Sequence, residues 1–336
     1  MGDLLIDVLR EAFTPTTAAF ALAAVGLNFH FGLTGLLNMG QAGFMLLGMY
    51  GFAITIREGG PIWLGVIVAL ALSMVFGLIL GWPTLKLRGD YLAIVTIAAA
   101  EMVRYLGRSQ NFNSLTGAST GIRGNEFKGP FEEKGIQFFG LFGLDKSQVD
   151  TQVDIGPFAL HGVRSTSWWL VIVAWLIVAI FIIIFARLSR SPWGRVLKGI
   201  REDEDAVRSL GKNVYSYKMQ ALVIGGAVGA IAGVIWSLGA SVQPDSMGRP
   251  TTFWIWTLLL LGGAATIFGP VLGSILFWCA LVLVKGLAAM WIPSDVLSQE
   301  QLQPFSLLLV GVTLMLLVIF RPQGVLGDKR ELAFND

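Results

Sequence analysis

Residues 12–56 read AFTPTTAAFALAAVGLNFHFGLTGLLNMGQAGFMLLGMYGFAITI, 45 consecutive positions without a formal charge. About 20 apolar residues in helix cross a bilayer core, so this stretch is too long for one span and holds two. Gly32-Leu33-Thr34-Gly35 is the natural turn between them, which places spans at about 14–32 and 36–56. Working outward, 61–84 is a third span and 91–107 a shorter fourth that carries Glu101 and Arg104 near its end. Spans follow at 166–186 and 219–244, a short and a longer one share 250–284 around Gly262-Gly263 and Gly269-Pro270, and the last runs 304–320. The fold class is therefore an all-α integral membrane protein with about nine transmembrane helices, within a range of eight to ten. Strand-length alternation, which an outer-membrane barrel would need, is absent from the sequence.

Composition agrees with that class and excludes others. Of the 336 residues only 14% are charged and 54% are hydrophobic, with a mean hydropathy of +0.69, whereas soluble domains carry about 25% charge. One cysteine, Cys279, and two histidines far apart rule out a disulfide framework and any Cys/His zinc cluster. No metal site and no catalytic residue is expected. A net charge of +2 is too small for nucleic-acid binding. Residues 1–12 form an amphipathic stretch, Leu4, Leu5, Val8, Leu9 and Ala12 opposite Asp3, Asp7, Arg10 and Glu11, and read as a retained interfacial helix.

Lys and Arg concentrate in cytoplasmic connections. The connection 187–218 holds eight of them against four acids, and 108–165 holds six against six. The first is read as cytoplasmic and the second as a long external loop. The Lys86-Leu87-Arg88 turn and the 321–336 tail then lie inside, and nine spans put the N-terminus outside. Within the cytoplasmic connection a surface helix begins near Pro192, and a second amphipathic helix runs from about Glu202 to Leu210, acids first, Arg208 late, Gly211 as its cap. A short helix held between two spans is a lever for a partner that grips it; the alternative is a solvated basic loop that only sets topology. Ionisable groups inside spans are few. Glu101 and Arg104, at i, i+3 spacing, read as a mutually neutralised pair, Lys285 as a snorkelling side chain, and His30 as a packing hydrogen-bonder or a titrating group.

The segment Asp205-Ala206-Val207-Arg208-Ser209-Leu210-Gly211 resembles the Glu-Ala-Ala coupling motif of ATP-binding cassette importer permeases, with Asp for Glu and Val for the second Ala. The surrounding Ser191-Pro192-Trp193-Gly194-Arg195 and Tyr217-Lys218-Met219-Gln220-Ala221 resemble permeases of branched-chain amino-acid importers, as do Gly35-Leu36-Leu37-Asn38-Met39-Gly40-Gln41-Ala42-Gly43-Phe44, Leu85-Lys86-Leu87-Arg88-Gly89-Asp90-Tyr91, Leu115-Thr116-Gly117-Ala118-Ser119-Thr120-Gly121-Ile122 (with Ala118 where the family has Gly) and Phe320-Arg321-Pro322-Gln323-Gly324. The match covers about residues 20–325 and is closest to the M-type subunit. It implies a cell-membrane importer with a second, H-type permease, two cassette ATPases and an external solute-binding protein. ATP and Mg are expected on the ATPases, since no Gly-x-x-x-x-Gly-Lys-Ser/Thr loop occurs in the sequence. The resemblance assigns ATPase coupling to Glu202, Asp203, Glu204, Asp205, Ala206, Val207, Arg208, Leu210 and Gly211.

A weak internal repeat sets Gly262-Gly263 and Gly269-Pro270 parallel to the turn before Asn38. Glycine-interrupted segments can expose backbone to a solute path, or can serve close packing through Gly40, Gly43, Gly48 and Gly51. The neutral polar groups Asn28, His30, Asn38, Gln41 and Thr96, with Gly263 and Thr266 opposite, are the candidate solute path. A related importer of urea or short amides and a standalone channel or ion-coupled carrier are the rival readings.

Overall fold

The computed structural model describes residues 2–86, 89–140 and 168–291, and beyond them 301, 304, 305, 308, 309, 311, 312, 315, 319 and 323–327. Leu87 and Arg88 of the basic turn, residues 141–165 of the external loop, much of the 304–320 span, and the tail apart from 323–327 lie outside the described residues. In chain order the helices are α1 (Gly2–Ala12), α2 (Pro15–Thr34), α3 (Gln41–Arg57), α4 (Ile62–Thr84), α5 (Gly89–Arg108), α6 (Asn113–Thr116), α7 (Gly129–Gly140), α8 (Trp168–Arg190), α9 (Pro192–Glu202), α10 (Glu204–Ser209), α11 (Val214–Gly239), α12 (Arg249–Gly262) and α13 (Gly269–Trp291). The only strand-like pairing among the described residues is an isolated bridge between Ile122 and Val242. Among the described residues five helices, α2, α4, α8, α11 and α13, are long and apolar enough by themselves to cross a membrane.

Several boundaries differ from the sequence reading. Helix α2 runs through Gly32, Leu33 and Thr34 and stops only at Gly35, whose φ of 69° closes the end by donating to Phe31 O at 2.9 Å while Leu36 N–H reaches His30 O. The break between the first two spans is therefore 35–40, and α3 starts at Gln41. Helix α11 begins at Val214, before Lys218, because the Asn213 side chain caps the Ser216 N–H and the lysine is neutralised by Glu204. It ends at Gly239 because Ala240 turns extended and leads to the Val242 bridge.

Helix α2 is the centre of the fold. Its small residues, Ala18, Ala19, Ala21, Ala23 and Ala24, are fully buried, and Gly26 lets α11 approach so closely that a Cβ there would stand 2.6 Å from Gly225 O. Helix α4 shows how sequence encodes such packing in lipid, where backbone proximity rather than water exclusion draws helices together. Gly65, Ala69, Ser73, Gly77, Gly81 and Thr84 recur about every four residues on its buried face. Trp63, Ile67, Val75, Ile79 and Trp82 are exposed on the opposite one, as a lipid-facing surface requires. Gly43, Gly48 and Gly51 of α3 serve the same close packing, each facing backbone of a neighbouring helix at Ala100, Ala230 and Ala69. Helix α1 docks on α13 through Leu4 beside Gly286 and through Val8 O, which accepts from Cys279 Sγ at 3.3 Å.

Candidate functional site

Residues 35–40 leave the helical ladder within an apolar bundle, and every backbone group freed there needs a partner. The polar side chains nearby supply them. Thr96 Oγ1 accepts from Met39 N at 2.9 Å, Asn38 Oδ1 from Gly40 N at 2.8 Å, and Thr252 Oγ1 from Ala42 N at 3.1 Å, while Trp256 Nε1 donates to Asn38 O at 3.0 Å. Asn38 Nδ2 donates to His30 Nδ1 at 3.0 Å and to Gln41 Oε1 at 3.3 Å. His30 Nε2 lies 3.0 Å from Leu222 O. A carbonyl can only accept, so Nε2 carries the hydrogen, and Nδ1 is left to accept from Asn38. Gln41 Nε2 closes the cluster onto Ala23 O and Gly225 O at 3.4 and 3.3 Å.

A second break, 263–268, separates α12 from α13. Gly263 and Ala265 both have positive φ, at 111° and 65°. Asn28 of α2 spans this break: its Nδ2 donates to Thr266 O at 2.8 Å and its Oδ1 accepts from Ala265 N at 2.9 Å. Thr266 Oγ1 bonds Gly263 O and Gly269 N, at 2.7 and 3.0 Å, and so caps α13. From the far end of the chain Val325 N and Leu326 N donate to Leu261 O and Gly262 O at 2.9 and 3.0 Å, satisfying the last carbonyls of α12.

The sequence-named residues thus come together in two linked groups. Asn38 joins His30 to Gln41, Thr96 holds the same break through Met39, and Asn28 brings Thr266 and the Gly263 segment against α2. Asn28, His30, Asn38, Gln41 and Thr96 are each 0% exposed, and all bond to backbone or to each other. Thr252, Trp256, Val325 and Leu326 belong to the same construction and were not singled out by sequence.

The connection 191–213 is built on two caps. Ser191 Oγ accepts from Gly194 N at 3.2 Å ahead of Pro192 in the first turn of α9. Asp203 is extended and its Oδ1 accepts from Asp205 N and Ala206 N at 2.9 and 3.0 Å. Helix α10 therefore begins at Glu204, two residues later than the sequence suggested, and Gly211 ends the turn with φ of 75°. Buried Leu197, Ile200 and Val207 hold this pair of helices to the bundle. Polar anchors add to them: Arg201 Nη1 donates to Gly32 O at 2.6 Å, Trp193 Nε1 to Gln220 Oε1 at 2.8 Å, and Lys218 pairs with Glu204. Glu202 pairs with Arg201, and Asp205 with Arg208, at 2.7 and 2.8 Å. One large apolar side chain is left standing out: Leu210 is 79% exposed, with exposed Ala206 one turn before it.

At the far ends of the spans Arg104 joins Glu101 at 2.8 Å, as the i, i+3 spacing foretold, and also Asp245 at 2.5 Å. The 240–248 segment is tied there to α5 and, through the Ile122–Val242 bridge, to the 109–128 segment. Lys128 in that segment is buried, and burial lowers its pKa against the opposing pull of Glu132. Among the described residues no three His, Cys, Asp or Glu side chains gather as a metal site.

The family described as the branched-chain amino acid transport system permease component matches residues 10–318. The chain belongs to that family. This permease is 32% identical over 328 residues to the high-affinity branched-chain amino acid transport system permease protein LivM of Escherichia coli, covering 94% of this chain and 69% of that protein. It is 24% identical over 339 residues to the corresponding protein LivH of Salmonella typhimurium, covering 97% and 98%. Among solved structures, PsaBC from Streptococcus pneumoniae in complex with Fab aligns over 94% of the permease and 91% of that chain at 14% identity and a TM-score of 0.45. The family match takes in both breaks and the whole 191–213 connection of the permease.

Proposed function

We propose that this chain is the M-type membrane subunit of an ATP-driven importer for branched-chain or similar small apolar amino acids. It spans the inner membrane about nine times, with its N-terminus outside, its C-terminus and the 187–218 connection in the cytoplasm, and the 108–165 loop outside. It works beside an H-type permease, receives the amino acid from an external solute-binding protein, and is driven by two ATPase subunits that carry ATP and Mg. The observation that carries this reading is the α9–α10 pair: a helix couple anchored to α2 and α11 that leaves Ala206 and Leu210 uncovered. Ala206 and Leu210 are the apolar spot on an otherwise charged surface that this reading assigns to the ATPase contact. Residues 202–211 are the coupling element in this reading.

The solute path runs along the two breaks. Non-helical backbone at membrane depth is tolerated where protein or a water-filled cavity receives it, and Asn28, His30, Asn38, Gln41, Thr96, Gly263 and Thr266 are the groups that shape it from this subunit. Because each side chain is already bonded, passage requires their bonds to exchange as the breaks move. The test is reconstitution of the chain with its permease and ATPase partners and the loaded binding protein. ATP-dependent uptake of leucine is expected; uptake by the chain alone without ATP, or transport of urea in place of leucine, refutes the reading. Asn38→Leu with Gln41→Leu lowers uptake while ATPases still copurify, and unchanged uptake rejects the path.

A further inference from the structure

A cavity of about 300 Å³ lies between the 191–213 connection and the α2–α3 break. That is the small end of the range for ligand sites, the size of a small solute. Its walls divide by chemistry. Leu36, Leu85 and Leu92 give an apolar side, each under a tenth exposed. Lys218 of α11 and Glu204 of α10 give the polar side as an ion pair, with side chains 14% and 36% exposed. Arg201, also on the wall, is committed to Gly32 O and Glu202. The remaining charges on the wall are the Lys218 ammonium and the Glu204 carboxylate, whose other oxygen is held from outside the cavity by Arg208 at 2.8 Å, and the three leucines lie across from them.

We infer that this cavity binds a small zwitterionic amino acid with an apolar side chain from the cytoplasmic side, and that its occupancy slows import. The inference rests on the importer reading and on the cytoplasmic placement of the connection. An amino acid entering here replaces the Lys218–Glu204 contact with two, its carboxylate on Lys218 and its ammonium on the Glu204 oxygen that Arg208 leaves free, and lays its side chain on Leu36, Leu85 and Leu92. A partly buried ion pair is screened less than a surface one, which favours a ligand that leaves neither charge unpaired. The lining comes from α10, α11, the 35–40 break and α5, so an occupant fastens the connection and α11 to the break and to α5. A ligand that fits one arrangement shifts the population toward that arrangement. The imported amino acid then acts as a brake on its own entry.

The test uses the complete importer in liposomes, with loaded binding protein outside and L-leucine or L-lysine enclosed on the ATPase side. Saturable inhibition of uptake by enclosed leucine, absent with lysine and relieved by Leu92→Phe, which fills the cavity, is the expected result. Equilibrium dialysis of radiolabelled leucine against the detergent-solubilised complex without binding protein gives a second readout that does not depend on that variant. Lys218→Gln should weaken binding about tenfold or more, the cost of losing a charged partner. No inhibition in the wild type, or binding unchanged in Lys218→Gln, overturns the inference while leaving the importer intact. No leucine uptake at all overturns the importer reading itself.

Discussion

Asn28→Leu tests whether the second break is braced from α2 alone. The substitution keeps side-chain volume close and removes both bonds that Asn28 makes, 2.9 Å from Ala265 N and 2.8 Å to Thr266 O. Two magnitudes compete. Hydrogen bonds between membrane helices average about 0.6 kcal/mol each, because the separated helices find other partners, which predicts a loss of about 1 kcal/mol for the pair. A buried group left with no partner costs about 1–3 kcal/mol, which predicts about 2–6 kcal/mol. The second applies here, since 263–268 lies outside helix and both Asn28 and Ala265 are buried. Thermal or denaturant unfolding of the permease in nanodiscs measures the difference, with Asn111→Leu at an exposed position as control. A loss near 1 kcal/mol, or none, refutes the claim that the break depends on this residue.

Three further outcomes are expected. Ala206→Arg and Gly211→Pro leave the chain membrane-inserted but detach or uncouple the ATPases, because they alter the exposed face and the φ 75° end of α10 without touching a span; normal ATP-driven uptake in both contradicts this. Burial lowers the Lys128 pKa from 10.5, so the unfolded chain binds more protons between the two values and stability rises with pH there; Lys128→Met should unfold at a higher temperature at pH 7, with the advantage shrinking as pH approaches 10.5, and a constant difference rejects it. Cysteine at Ser119 should react with an impermeant thiol reagent from outside, and cysteine at Ser209 only after the membrane is opened; both are exposed positions, and the opposite labelling reverses the topology.

The spans were legible because charge is costly in hydrocarbon, and its absence marks them. The same rule misplaced the start of α11, where Lys218 lies inside a helix that Glu204 neutralises across 14 positions. Internal repetition pointed to 263–268 as a counterpart of the first break. It could not show that Asn28 holds that segment, a contact over 237 positions that leaves no periodic trace. Nor could it separate lining from bracing: an amide in a span is required both by a polar path and by a backbone without a ladder, and only the partners of Asn38 and Gln41 distinguish these uses. Thr252 and Trp256 escaped notice because both residue types are ordinary in apolar helices and act here through single bonds to α3 and the break.

In the coupling role proposed for the 191–213 connection, the route from it to the breaks follows from where the anchors are. Arg201 fixes α9 to Gly32 O, near the C-terminal end of α2, and Glu204 fixes α10 to Lys218, near the start of α11. Helices α2 and α11 are themselves in backbone contact at Gly26, Gly225 and Gly229, and His30 bonds Leu222 O between them. Close-packed helices joined this way resist sliding, so the connection, α2 and α11 move as one body. Compliance must then lie where the ladder is interrupted, at 35–40 and 263–268. Both segments are gripped by α2 side chains, His30 through Asn38 in one and Asn28 directly in the other. Displacing α2 therefore strains both breaks at once, from one helix and through three amide or imidazole groups. Severing His30 from Asn38 should leave the second break coupled to the connection, and severing Asn28 should leave the first.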